Sequence, residues 1–131
     1  MHDKDEKMQS AYGRIHGLGS AKDGTGHWWA QRVTAVALLG LGTWFVYAVL
    51  IFTAMEPVSA RDWLAQPLNS ILLALFTLTA LYHGQLGLQT VIEDYVHTHA
   101  RKYTALVLVQ FVTYGAMAAV VFAIAKISLG V

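Results

Sequence analysis

Three long runs of this chain are nearly free of charge: residues 33–55, 68–92 and 103–128. Charged residues gather before the first run, between the first two near Glu56 to Asp62, and between the last two from Glu93 to Lys102. Each run reaches about 20 residues or more, which at about 1.5 Å per helical residue crosses a hydrocarbon core of about 30 Å. The pattern predicts three transmembrane helices.

Composition agrees. Of 131 residues, 56% are hydrophobic and only 13% charged, far more apolar than a water-soluble domain of this length. The fold class expected is an all-α membrane protein, with a tail over residues 1–32 and a three-helix domain over residues 33–131. There is no cysteine, which removes disulfides, thiolate-held metals and any iron–sulfur cluster held by this chain alone. The first residues mix Asp3, Lys4, Asp5, Glu6 and Lys7 without an apolar stretch, unlike a secretory signal or an acid-poor transit peptide. They read as a retained, water-facing tail, and a bacterial inner membrane is the expected location. Gly17, Gly19, Gly24 and Gly26 argue for an extended or looped approach to the membrane before about Thr25.

Charge sets the expected orientation, because lysine and arginine concentrate on the cytoplasmic side of short-looped membrane proteins. The tail carries Lys4, Lys7, Arg14, Lys22 and Arg32, and the loop after the second span carries Arg101 and Lys102. Only Arg61 and Lys126 lie on the other side. The N-terminus is therefore expected in the cytoplasm and the C-terminus in the periplasm. Trp28 and Trp29 fall at one interface and Trp63 at the other, where indoles prefer to sit. In "PVSARDWLAQP", Ser59 stands three residues before Asp62, which predicts a short surface helix capped by Ser59 and closed near Pro67.

The second span holds a histidine where water is scarce. His83 is fifteen residues after Leu68 and nine before Ile92. A polar side chain at that depth needs a partner. One reading is a neutral imidazole bonded to Thr77, Thr79, Gln85 or Gln110. The other is a ligand to haem iron, a role that neutral imidazole fills well. Gly84 and Gly87 would let a flat porphyrin approach the helix, although glycines in such helices also serve helix packing. A single histidine supplies one axial ligand, and the first and third spans contain none, so the second would come from a partner chain.

At the end of the same span stand Glu93, Asp94 and Tyr95. Asp94 is eleven residues from His83, close to three turns, so both project from one face about 16 Å apart along the axis. A phenol beside a carboxylate at the interface suits hydrogen bonding to a lipid-soluble carbonyl compound such as a quinone. Tyrosine and acidic residues also end membrane spans with no such role.

"YHGQLGLQTVIEDYVH", with its His, ten residues and Asp-Tyr, closely resembles the second helix of the small membrane anchor of succinate dehydrogenase, the D subunit of respiratory complex II. "HWWAQRVTAVALL" is similar to the family's entry into the first helix, and three spans with a cytoplasmic N-terminus is its topology. The resemblance implies that His83 ligates the iron of a haem b shared with a cytochrome b556-type C subunit, the two anchors forming a larger helical bundle. It implies that Tyr95 donates a hydrogen bond to a ubiquinone carbonyl while Asp94 orients the site. It implies that Arg32, with His27, lies by the haem propionates. It also implies an iron–sulfur subunit and a flavoprotein subunit as partners, with membrane lipid around the chain and no nucleic acid. On that reading the chain catalyses nothing alone. The "HTHARK" stretch would face the soluble subunits or remain a solvated loop, and His97 and His99 receive no role. The alternatives are an anchor of a fumarate reductase, a haem-less complex II, or a non-redox membrane protein using His83 and Asp94 in a proton path.

Overall fold

The computed structural model describes the backbone of residues 11–54 and 59–130, and the side chains of residues 24–54 and 59–130. These residues form four helices: α1 (Ala11–Ala54), α2 (Ala60–Ala65), α3 (Pro67–Tyr95) and α4 (His99–Leu129). Among the described residues there is no strand. Within α1, α3 and α4, the stretches Gly24–Ala54, Pro67–Tyr95 and His99–Leu129 are each long and apolar enough to cross a membrane.

The approach to the first span differs from the sequence expectation. Helix α1 is already formed at Ala11 and runs through Gly17, Gly19, Gly24 and Gly26 without a break. Glycine inside a helix costs about 1 kcal/mol relative to alanine, which weakens a helix but does not forbid it. Here no new nucleus is needed, because each added turn extends a helix already anchored in the span. The expectations for Lys4 and Lys7 lie outside the described residues, as do those for the side chains of Arg14 and Lys22.

The link between the first two spans forms as its residues predict. Ser59 is extended (φ −65°, ψ 144°), and its Oγ accepts from the Asp62 backbone N–H at 3.1 Å, capping α2. Gln66 ends α2, and Pro67 takes the first turn of α3, where its missing N–H costs nothing. Asn69 Nδ2 donates to the Trp63 carbonyl at 3.1 Å and ties α3 back to α2. Trp63 is half-buried, stacked on Trp44 with ring centroids 6.2 Å apart and edge-on to Phe52 at 6.4 Å. It anchors α2 against α1 while sitting at the end of the span. At the same end of the fold, near Arg61 of α2, α4 closes on Gly130 in the left-handed region (φ 73°), a conformation that glycine adopts without strain.

Packing follows a layer, not a closed bundle. Helix α3 lies in the middle with α1 on one side and α4 on the other, and α1 and α4 do not meet among the described residues. Helix α1 runs antiparallel to α3. Their register is fixed by Phe45 stacked on Phe76, with centroids 4.7 Å apart, and by close approach of Gly42 to Phe76 and of Gly87 to Gln31. Small residues permit such approach, and dispersion then holds the pair together in lipid.

Few residues are buried. Among the described residues only Ala48, Leu86, Ser70, Gln85 and Thr113 are, and three of those five are polar. Large apolar side chains such as Leu39, Phe111 and Phe122 point outward. In water so much exposed apolar surface would drive aggregation, whereas in hydrocarbon it is the ordinary exterior. The chain is a multi-pass membrane protein.

Candidate functional site

The site is built where α1 and α3 pass each other. His83 on α3 is half-buried, and its Nδ1 lies 2.8 Å from Oγ1 of Thr34 on α1. The same Oγ1 is 2.8 Å from the Ala30 carbonyl oxygen and 3.2 Å from that of Gln31. His83 thus has a partner on the neighbouring helix, but not one of the four residues expected. Thr77 bonds to the Leu73 and Ala74 carbonyls of its own helix, as hydroxyl residues in apolar helices commonly do.

The other ring nitrogen is different. Nε2 of His83 makes no hydrogen bond among the described residues, and it is not among their sealed, unpartnered polar atoms. It therefore opens at the surface of the helix pair. Beside it, Gly84 is exposed, and a Cβ added there would meet nothing within 4 Å. A flat ligand would find open backbone at Gly84, while Gly87 packs against Gln31 of α1. This fits an axial haem ligand, which needs one imidazole nitrogen with a free lone pair and room for a macrocycle. Among the described residues no group of three or more His, Asp or Glu gathers to hold a metal ion by itself.

A polar row leads from this point toward the interface. His27, Gln31 and Thr34 are spaced by four and three residues and share the face of α1 that meets α3. Nε2 of His27 and Oε1 of Gln31 are buried without a partner among the described residues, as is Oε1 of Gln85 on α3. Such atoms typically cost about 1–3 kcal/mol each. Arg32 does not join the row. It stands about 140° around α1 from His27 at 100° per residue. Its guanidinium lies over the Trp28 ring, 5.4 Å from the centroid, and its side chain is exposed. His27 and Arg32 therefore face different directions in this chain.

Asp94 and Tyr95 emerge together at the end of α3, both exposed, Tyr95 by 78%. The turn around them is held from two sides. Gln89 Nε2 donates to Glu93 Oε1 at 3.0 Å, and Lys102 Nζ from α4 donates to the Glu93 carbonyl at 3.1 Å. Their open faces leave room for a ligand or a partner surface. His97 and His99 are exposed at the turn between α3 and α4. An apolar cleft lies elsewhere, bounded by Phe45, Phe52, Trp63, Leu64 and Leu73, and it exposes no polar atom.

Thr34 is the partner that the expectation for His83 missed. Its signal was present in α1 as the third member of the spacing His27, Gln31, Thr34, a polar stripe that runs into the apolar first span.

Comparison with known proteins points to one family. Residues 6–117 match the family described as succinate dehydrogenase/fumarate reductase transmembrane subunit. A succinate dehydrogenase hydrophobic membrane anchor subunit of Rickettsia bellii (strain RML369-C) is 39% identical over 93 residues, covering 70% of this chain and 74% of that one. The subunit of the same name from Paracoccus denitrificans is 33% identical over 114 residues, covering 87% and 88%. A succinate dehydrogenase membrane anchor subunit of Reclinomonas americana is 24% identical over 94 residues, covering 70% and 78%. No solved structure matches the chain. With three apolar spans, a histidine at mid-span and a match over most of its length, the chain belongs to the succinate dehydrogenase/fumarate reductase transmembrane subunit family.

Proposed function

We propose that this chain is the membrane anchor of a succinate:ubiquinone oxidoreductase, supplying one axial ligand to haem b through His83 and part of a quinone site through Tyr95 and Asp94. The observation that carries the reading is the state of His83, with Nδ1 held by Thr34 and Nε2 open beside exposed Gly84. A haem held there would supply one-electron exchange. The residues of this chain hold the ligand nitrogen in place, exclude water from it with the apolar α1 and α3, and present a phenol at the interface.

The chain is half of such a site. Its layer leaves α1 and α4 apart and broad apolar faces uncovered, as expected of an anchor that completes a larger bundle with a second, haem-sharing subunit. Tyr95 donates its hydroxyl to a quinone carbonyl, and Asp94 orients the site. The exposed turn carrying His97, His99 and Arg101 faces the iron–sulfur subunit, beyond which the flavoprotein oxidises succinate. Arg32, with His27 on a different face of α1, would hold the haem propionates. The complex resides in a bacterial inner membrane, with the N-terminus of this chain in the cytoplasm.

A second reading has a specific observation behind it. The row His27, Gln31, Thr34, His83 contains buried, unpartnered polar atoms, as a proton path without haem would. One measurement separates the two. The complex, purified through a tag on this chain, is compared with a His83→Ala preparation by reduced-minus-oxidised visible spectra. A b-type signal lost or altered in the variant is the expected result. An intact wild-type complex with no haem signal would leave the proton path or a haem-less anchor as the function.

A further inference from the structure

We infer that Thr34 is a positioning residue that selects the tautomer of His83 and aims its free nitrogen. The inference rests on the haem-ligand reading above and deepens it. Thr34 Oγ1 carries one hydrogen, and two kinds of acceptor are near: the Ala30 and Gln31 carbonyls and the ring nitrogen of His83. The hydrogen position follows from counting donors and acceptors. If the hydroxyl donated to Nδ1, the ring hydrogen would have to sit on Nε2, which has no acceptor among the described residues. A donor would then be stranded at mid-span, at a typical cost of about 1–3 kcal/mol.

The other arrangement satisfies both hydrogens. Nδ1–H donates to Thr34 Oγ1 at 2.8 Å, and Thr34 Oγ1–H donates to the Ala30 carbonyl at 2.8 Å. A carbonyl has two lone pairs, so Ala30 accepts this hydrogen in addition to its helical one. The chain of bonds ends on the backbone of α1, which fixes both the threonine rotamer and the plane of the imidazole. Because the two ring nitrogens point to opposite sides, the lone pair of Nε2 is directed away from α1. A metal-binding histidine is commonly oriented in this way by the partner of its other nitrogen, and that partner also makes the ligand more basic.

The experiment uses the whole complex carrying Thr34→Val, which keeps the shape and removes the hydroxyl, with Thr34→Ser beside it. Haem affinity, the haem midpoint potential by redox titration and the low-temperature electron paramagnetic resonance spectrum are measured on each. Loss of the bond lowers ligand basicity and frees the ring, so Thr34→Val is expected to bind haem about 10–100-fold more weakly. Its potential should rise and its resonance should broaden, while Thr34→Ser restores all three toward wild type. A Thr34→Val complex with wild-type affinity, potential and spectrum would overturn the inference while leaving His83 as ligand. Should Thr34→Val not assemble, Thr34→Ala is read in its place, and equality of Thr34→Ala and Thr34→Ser in all three would likewise overturn it. A wild-type complex without haem, or a haem unchanged in His83→Ala, would instead overturn the functional reading itself and this inference with it.

Discussion

Lys102 Nζ donates to the Glu93 carbonyl across 3.1 Å, so the first turn of α4 caps the last turn of α3. That carbonyl belongs to the end of α3, where backbone acceptors run out of intrahelical donors. Asp94 and Tyr95 follow immediately, so the bond steadies the backbone that carries the proposed quinone contacts.

Lys102→Met should therefore loosen this turn while keeping the length of the side chain. A hydrogen bond of this kind is worth about 0.5–1.5 kcal/mol, which corresponds to roughly a 2–10-fold rise in KM for a ubiquinone analogue. Steady-state kinetics on the assembled complex would measure it. Succinate oxidation with a soluble artificial acceptor should be unchanged, and Lys102→Arg, which retains a donor, should lie near wild type.

Tyr95→Phe tests the contact itself. The ring is 78% exposed in this chain, so removing its hydroxyl costs the fold little. Loss of a donor to the quinone carbonyl should lower succinate–quinone activity by about tenfold, the effect of roughly 1.4 kcal/mol of binding in the transition state. Activity with the artificial acceptor should persist. Equal loss of both activities would point to failed assembly and remove Tyr95 from the quinone site.

The outcome for His83 illustrates what a linear sequence carries. Its depth was legible because charge-free runs mark the hydrocarbon, and the described residues of those runs fall inside α1, α3 and α4. The Ser59 cap was legible for the same local reason, since cap and recipient are three residues apart. The partner of His83 was not, because Thr34 is 49 residues away and is brought near only by the register of α1 against α3. That register depends on the Phe45–Phe76 stack and on two glycine contacts, none of which has a local signature. The helix through Gly17 to Gly26 was misread for a different reason: glycine reports local preference, and extension of an existing helix outweighed it.

Phe76→Ala should weaken the register that sets the Thr34–His83 bond. An aromatic pair contributes about 0.5–1.5 kcal/mol beyond its burial, and the void left in a packed helix pair adds to that loss. The purified complex should unfold at lower temperature and release haem more readily on heating than wild type. Phe76→Leu, which keeps most of the volume, should recover much of the difference, as read by the loss of the haem absorbance during a thermal ramp.

Orientation can be tested without any cofactor. Seven positive residues belong to the tail and to the α3–α4 connection, against Arg61 and Lys126 at the opposite ends of the spans. Three crossings would put the two ends of the chain on opposite sides, and the charge bias predicts the N-terminus in the cytoplasm. A green fluorescent protein fused after Val131 should be dark and an alkaline phosphatase fused there active, while fusions in the turn at Thr98 should behave oppositely. If both C-terminal reporters gave the reverse result, Asp94 and Tyr95 would lie on the periplasmic side. Electrons from a cytoplasmic iron–sulfur subunit would then have no quinone phenol to meet, and the proposed division of labour would fail with the topology.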